Sequence, residues 1–335
     1  MTPEVEPENK DGAGGDKERG NDMNNNWEFN HSGVFAKDFD RTLQYYKSLG
    51  LAPDLPRTQN PFNPEDDAVT VEFGEVVDLS MPEGEYFLAL LYIGDLELEV
   101  LHAPKERPRG EALAYGEGVN HFCISVPDID AETDKLVKKD LRIIQDFKLN
   151  GVRLEDYLDT REHGNILLSL RTPMTEEMKK RKASNGIIDW KFRGHSAVVK
   201  DLDKTAEYYQ YLDIAAFQPE TIFDSTSIKD IKMFGETPKT TIKAKNRTAR
   251  IGNKLVLELI QPLEGGSIYK ESLDRRGEGI IDLTFTVDDL DMETARLVEK
   301  GVPVIFSGKP QNGSAFACFD TREDGGDVMI KLMQR

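Results

Sequence analysis

The sequence predicts an α+β protein of four βαβββ modules arranged in two tandem halves. Two observations predict it. The first is an internal repeat. Residues 38–49 (DFDRTLQYYKSL) return as 201–212 (DLDKTAEYYQYL), 163 residues later. Residues 116–137 return as 277–298, and 159–162 (DTRE) as 320–323, both at an offset of 161. A near-constant offset across separated blocks marks a duplication. The second observation is that each half holds two similar units. In each, a short alternating strand leads into an Asp-rich turn and an amphipathic segment, and further short apolar runs follow.

The elements follow in order. Residues 1–26 are polar, have almost no apolar content and read as a disordered tail. Asp38, Asp128, Asp201 and Asp289 each precede a segment of helical period. A carboxylate there supplies an N-cap oxygen and a favourable charge at the helix start. In the first segment Leu43, Tyr46 and Leu49 fall at helical spacing, which places Tyr45-Tyr46, and their repeat Tyr208-Tyr209, on a packing face. Runs at 86–93, 96–101, 166–170, 255–260 and 328–332 read as strands bounded by Gly and Asp turns. Charged or Gly-rich stretches near 105–116, 174–188 and 265–277 read as linkers. The expected domains are therefore 27–173 and 189–335, joined by a linker at 174–188.

Composition limits the function. The 335 residues carry a net charge of −18, which disfavours nucleic acid as a partner, because such binding needs basic patches that neutralise phosphates. No apolar run approaches the roughly 18 residues of a membrane span, and no signal peptide is visible. The two cysteines, Cys123 and Cys318, form no CxxC pair and no disulfide framework, so a cytoplasmic location is expected. The basic stretch Lys243, Lys245, Arg247 and Arg250 reads as a solvated strand face, with contact to an anionic substrate as the alternative. His102 and His163, near strand or loop ends, are expected in solvent.

The stretch HSGVFAKDFDRTLQYYKSLGL resembles the opening strand and helix of a vicinal-oxygen-chelate module, with His31 seven residues before Asp38. YIGDLELEVLHAP resembles that module's closing strand. SIYKESLDRRGEGIIDLTFTVDDLD resembles the inter-module linker and second module of methylmalonyl-CoA epimerases. The superfamily also contains glyoxalase I, extradiol dioxygenases, thiol transferases and metal-free drug-binding proteins.

The resemblance implies paired modules forming a cupped, antiparallel-rich sheet with helices outside. It also implies one divalent metal ion (Fe, Mn, Co, Ni or Zn) held by residues from the first and last strands. Carried over position by position, the ligands are His31, Glu99 and His121, with Glu97 as the alternative to Glu99. The fourth position falls on Ser169, or on Leu168 after a one-residue slip, where the family has Glu. Cys123, two residues after His121, and Ser169 become candidates for the substrate pocket; Cys123 also reads simply as a small buried side chain. In the second half the same positions hold Gly194, with His195 displaced by one, then Glu258, Asp282 and Lys331. An ammonium cannot ligate a cation, so the expectation there is an ion-paired cluster of Glu258, Asp282 and Lys331. A competing reading has Lys331 hold a substrate carboxylate or phosphate.

The function implied is a metal-dependent lyase or isomerase that polarises a carbonyl or thioester for proton abstraction, acting on a small molecule such as an acyl-CoA or 2-oxo acid. Glu85 is the candidate general base. Two rivals stay open: a non-haem Fe dioxygenase and a metal-free small-molecule binding protein. The chain is expected as a monomer or homodimer.

Overall fold

The computed structural model describes residues 26–53, 69–72, 87–102, 116–149, 152–311 and 313–335. The first half begins with β1 (Glu28–Phe35), α1 (Phe39–Ser48), β2 (Val69–Glu72), β3 (Phe87–Ile93) and β4 (Leu96–His102). Its second module is β5 (Gly118–Ser125), α2 (Ile129–Val137), β6 (Ile143–Leu149), β7 (Val152–Leu158) and β8 (Leu167–Arg171). After α3 (Glu176–Asn185), the second half opens with β9 (Lys191–Val198), α4 (Leu202–Tyr211), β10 (Thr221–Asp224), β11 (Ile228–Met233), β12 (Lys243–Ile251) and β13 (Leu255–Glu264). It closes with α5 (Ile268–Arg276), β14 (Gly279–Ile280), β15 (Asp282–Val287), α6 (Leu290–Glu299), β16 (Val304–Pro310), β17 (Phe316–Phe319) and β18 (Met329–Gln334).

The four aspartates act locally as the sequence suggests. Asp38, Asp128, Asp201 and Asp289 each adopt extended backbone and accept a hydrogen bond from the amide three residues on. Each such cap is worth about 1 kcal/mol. Beyond the cap, Phe39, Thr42, Leu43 and Tyr46 form the buried stripe of α1, and Leu202, Thr205, Ala206 and Tyr209 that of α4.

The strand order repeats between halves. The first sheet runs β2-β6-β7-β8-β5-β1-β4-β3 and the second β11-β16-β17-β18-β15-β9-β13-β12-β10, with β14 pairing β9. In each half, then, one strand of the first module (β2 or β11) crosses to the outer strand of the second (β6 or β16). The first strands of the two modules pair antiparallel at the centre of each half, β1 with β5 and β9 with β15.

The two halves share one apolar core. Phe29 and Phe192 stack with ring centroids 5.0 Å apart. Trp27 O accepts from Asn253 N at 2.8 Å, and Trp190 O from Asp95 N at 3.2 Å, a reciprocal exchange between equivalent turns. Gly252 and Gly94 make that approach possible, since a Cβ on them would lie 2.5 Å from Trp27 O and 2.2 Å from Trp190 O.

Two of the expected linkers are partly helical. α3 occupies 176–185 and α5 occupies 268–276, capped by Thr175 and Ser267. Neither carries a strong apolar stripe; α3 (EEMKKRKASN) is built of residues with high intrinsic helix propensity, so periodicity could not reveal it. Most of the expected tail, and most of the 105–116 linker, lie outside the described residues. No described helix is long and apolar enough to cross a membrane.

Candidate metal centre

The first cup is built by a phase change in β1. A register shift between Phe29 and His31 lets Phe29 enter the core while His31 points into the cup. From there alternation holds: Ser32 and Val34 face inward, and Gly33 follows His31. On β4, Leu96, Leu98 and Val100 join the core, leaving Glu97 and Glu99 on the opposite face. β5 runs antiparallel to β1 with Gly33 opposite His121. Gly33 is required there, because a Cβ would sit 1.8 Å from Cε1 of the His121 ring.

These strands bring His31, Glu99 and His121 together, each buried, with one donor atom apiece within 4.8 Å of the others. Nε2 of His31 and Nε2 of His121 are 3.3 Å apart, and each is 3.6 Å from Glu99 Oε2. The ring orientations are set from behind. Asn30 Nδ2 donates to Ser125 Oγ at 2.8 Å, and Lys182 on α3 donates to Asn30 Oδ1 at 3.1 Å. Oδ1 is thereby fixed toward His31, whose Nδ1–H donates to it at 3.1 Å. In the same way His121 Nδ1–H donates to Asn120 Oδ1 at 2.6 Å. Both imidazoles then carry their proton on Nδ1 and turn the Nε2 lone pair toward one point. Burial, followed by the charge of His121, holds the His31 pKa well below its usual value, so the ring stays neutral as ligation requires.

The donor set fits a divalent cation. Two nitrogens at about 2.1 Å from one ion are separated by about 3.0–3.4 Å in octahedral or tetrahedral geometry, which matches the observed spacing. Two imidazoles and one carboxylate leave further coordination positions for oxygen ligands.

The remaining expected residues separate. Cys123 is fully buried, lies within reach of both His31 and Glu155, and has its thiol pKa pushed up by burial. Ser169, opposite Cys123 on β8, donates to Glu155 Oε1 at 2.5 Å. Glu97 is buried with the Lys182 ammonium 3.7 Å from its Oε1, a place beside the donor set rather than in it. Glu85 lies outside the described residues. His102 and His163 are partly buried rather than in solvent: His102 Nδ1 donates to Ala36 O at 2.9 Å, and His163 packs edge-on against Tyr208. The basic stretch on β12 is largely ion-paired, Lys245 with Glu220 and Arg247 with Asp203.

Sequence reading missed Glu155. Its Oε1 is 3.9 Å from His31 Nε2, on β7, and Arg171 of β8 stands 3.5 Å from its other oxygen. A carboxylate thus reaches the site from the strand next to the one expected. The Asn-His pairs 30–31 and 120–121 were a visible signal for the orienting shell; nothing local marked Glu155 or Lys182.

The second cup is organised differently. Ser196 takes the position of Gly33, opposite Glu258 on β13. Lys331 donates to Glu258 Oε2 at 2.9 Å, Ser196 Oγ to the same oxygen at 3.2 Å, and Asn246 Nδ2 to Oε1 at 3.0 Å. Burial alone would raise the Glu258 pKa, but Lys331, with help from the Ser196 hydroxyl and Arg193, more than reverses it, and the Lys331 pKa rises in turn. Asp282 feels the Lys331 charge, but its hydrogen bonds come from elsewhere. It accepts from Ser196 N at 3.0 Å and Thr284 Oγ1 at 2.8 Å, and burial, opposed by Lys331, keeps its pKa above the usual range. His195 faces away from the cup, as its one-residue displacement requires: its Nδ1 donates to Asp282 O and its Nε2 meets Ser32.

Two family models, both described as Glyoxalase/Bleomycin resistance protein/Dioxygenase superfamily, match residues 28–152 and 196–319, together more than half of the chain. No curated protein matches. A 4-hydroxymandelate synthase variant from Streptomyces coelicolor shares the fold at TM-score 0.62 and 12% identity, over 92% of each chain. A xylose isomerase-like TIM barrel/4-hydroxyphenylpyruvate dioxygenase fusion protein matches at TM-score 0.50 and 13% identity, over 92% of this chain and 49% of its own. Methylmalonyl-CoA epimerase from Mycobacterium tuberculosis is 24% identical over 43% of this chain and 87% of its own, at TM-score 0.34. With its duplicated module order and both halves matched, the chain belongs to the glyoxalase/bleomycin resistance protein/dioxygenase superfamily.

Proposed function

We propose that the first half is a metal-dependent lyase or isomerase site, in which His31, Glu99 and His121 hold one divalent ion and Glu155 is the general base. The observation that carries this reading is the 3.3 Å approach of two Nε2 atoms whose Nδ1 protons are both committed to asparagine oxygens. When bound, the ion would supply Lewis acidity to a substrate carbonyl or thioester oxygen.

The protein groups do the rest. Arg171 faces the same cup as Glu155; burial works against its charge, but Glu155 and the other carboxylates override this and raise its pKa. Its guanidinium suits a substrate carboxylate, which favours 2-oxo acids over neutral substrates. Glu155 stands beside His31 yet outside the Glu99–His31–His121 set, where it would accept the proton adjacent to the carbonyl. Ser169 donates to Glu155 Oε1 and orients that carboxylate. Tyr157 Oη, 3.5 Å from His121 Nε2, closes the buried side of the site.

The test combines metal analysis with solvent-deuterium exchange. Protein purified without chelator should carry about one divalent ion per chain, and H121A should lose it. With 2-oxobutyrate or a propionyl thioester in deuterium oxide, wild type should exchange the proton next to the carbonyl. Glu155→Gln should keep the metal and lose the exchange. Metal in the wild type with no exchange, but with oxygen uptake in the presence of Fe(II), would move the reading to a dioxygenase. No metal in the wild type would leave a metal-free binding protein, and equal metal in wild type and H121A would place the ion away from His121.

A further inference from the structure

We infer that the second cup is a metal-independent binding site for a small carboxylate with an apolar body. A cavity of about 530 Å³ lies there, with Gly194, Glu258 and Lys331 in its wall. Its wall differs from the first site at positions that are counterparts in the duplication. Gly194 stands where His31 does, 163 residues on, and a Cβ there would lie 1.8 Å from Val256 O, so no side chain enters the cup from this position. Phe316 takes the strand position of Glu155, two residues before the partner of the closing-strand residue.

The polar atoms of the cavity have a definite character. Both Glu258 oxygens are engaged, one by Asn246 and the other by Lys331 and Ser196. Lys331 Nζ has three protons and, among the described residues, two acceptors, Glu258 and Ser196. Tyr269 lines the wall, and its hydroxyl has no hydrogen-bond partner among the described residues; the ring is held edge-on by Phe306. Arg193 stands exposed in the wall near Glu258. The groups left over at Lys331, Tyr269 and Arg193 can all donate, so a ligand that supplies acceptors and a negative charge complements them. Phe223, Phe316 and Met333 supply the apolar surface opposite. The volume falls within the range of small-molecule sites.

The test uses the full chain treated with EDTA and titrated with benzoate, phenylacetate and 4-phenylbutyrate, each beside its neutral amide. Calorimetry should show at least one acid binding tenfold or more tighter than its amide. H121A, altered only in the first cup, should bind that acid as wild type does. The double variant K331M/E258Q removes both members of the ion pair together and should lose tenfold or more. Methyl-labelled methionine gives a readout that needs no variant: the Met333 signal should shift with the acid and not with the amide. A Met333 signal unmoved by every acid, equal affinity for acid and amide, or loss of binding in H121A alone would each overturn the proposal.

Discussion

The hydroxyl of Ser32 and Nε2 of His195 meet at 2.8 Å across the boundary between the halves, and the two residues are counterparts in the duplication, 163 positions apart. One position has thus diverged into a donor in one half and an acceptor in the other, because His195 Nδ1–H is committed to Asp282 O at 3.0 Å. His195 is buried and packs edge-on against Phe192.

Acid should weaken the join between halves through His195. Burial pulls its pKa from 6.5 down to about 4, partly opposed by the Asp282 carbonyl, so the unfolded chain binds this proton first. The stabilisation is present above about 6.5 and is lost as pH falls toward and through about 4, a change of about 3 kcal/mol for a fully buried ring. Urea unfolding at pH 7 and pH 5 should show a smaller loss of stability in H195Q than in wild type. Equal losses would remove His195 from the acid response.

Gly33→Ala should disrupt the first cup selectively. The added Cβ would fall 1.8 Å from the His121 ring, which must then leave its position between Gly33 and His31. Overpacking of this kind costs about 1–3 kcal/mol. Metal affinity measured against a fluorescent chelator should fall by more than tenfold, with the helical circular dichroism retained.

The asparagines behind the imidazoles should tune metal affinity without touching the ion. N30A and N120A remove the acceptors of the two Nδ1 protons, held at 3.1 and 2.6 Å. Loss of such orienting groups typically costs about 10–100-fold in affinity. A chelator competition titration in which both variants match wild type would separate these residues from metal binding.

Lys331 and Glu258 should behave as a pair. Removing one partner of a buried ion pair leaves an uncompensated charge, at roughly 3–5 kcal/mol, and the partial exposure of Glu258 places this pair toward the lower end. K331M should therefore lower the melting temperature, while K331M/E258Q should recover most of the loss. A double-mutant cycle over these variants reads the coupling directly. Turnover at the first cup should be unchanged in both.

What the sequence by itself determined is local or repeated. The capping aspartates are legible because an N-cap involves residues three apart, and the duplication because the offset is nearly constant. His31, Glu99 and His121 are legible as positions through the superfamily pattern, and the displacement of His195 tells correctly that it leaves the cup, because side chains alternate along a strand. The tertiary structure alone decided what neighbouring strands exchange. Glu155 comes to His31 from β7, a strand that shares no sequence spacing with β1. Lys182 reaches Asn30 from a helix whose apolar period is too weak to register. Asp282 is engaged by the backbone amide of Ser196 at 3.0 Å, from the strand beside its own. Each of these depends on which backbone lies beside which, and on a bulge in β1 that changes the phase of alternation. Sequence pattern reports the faces of an element, whereas the partner each face meets is set by the packing of the whole sheet.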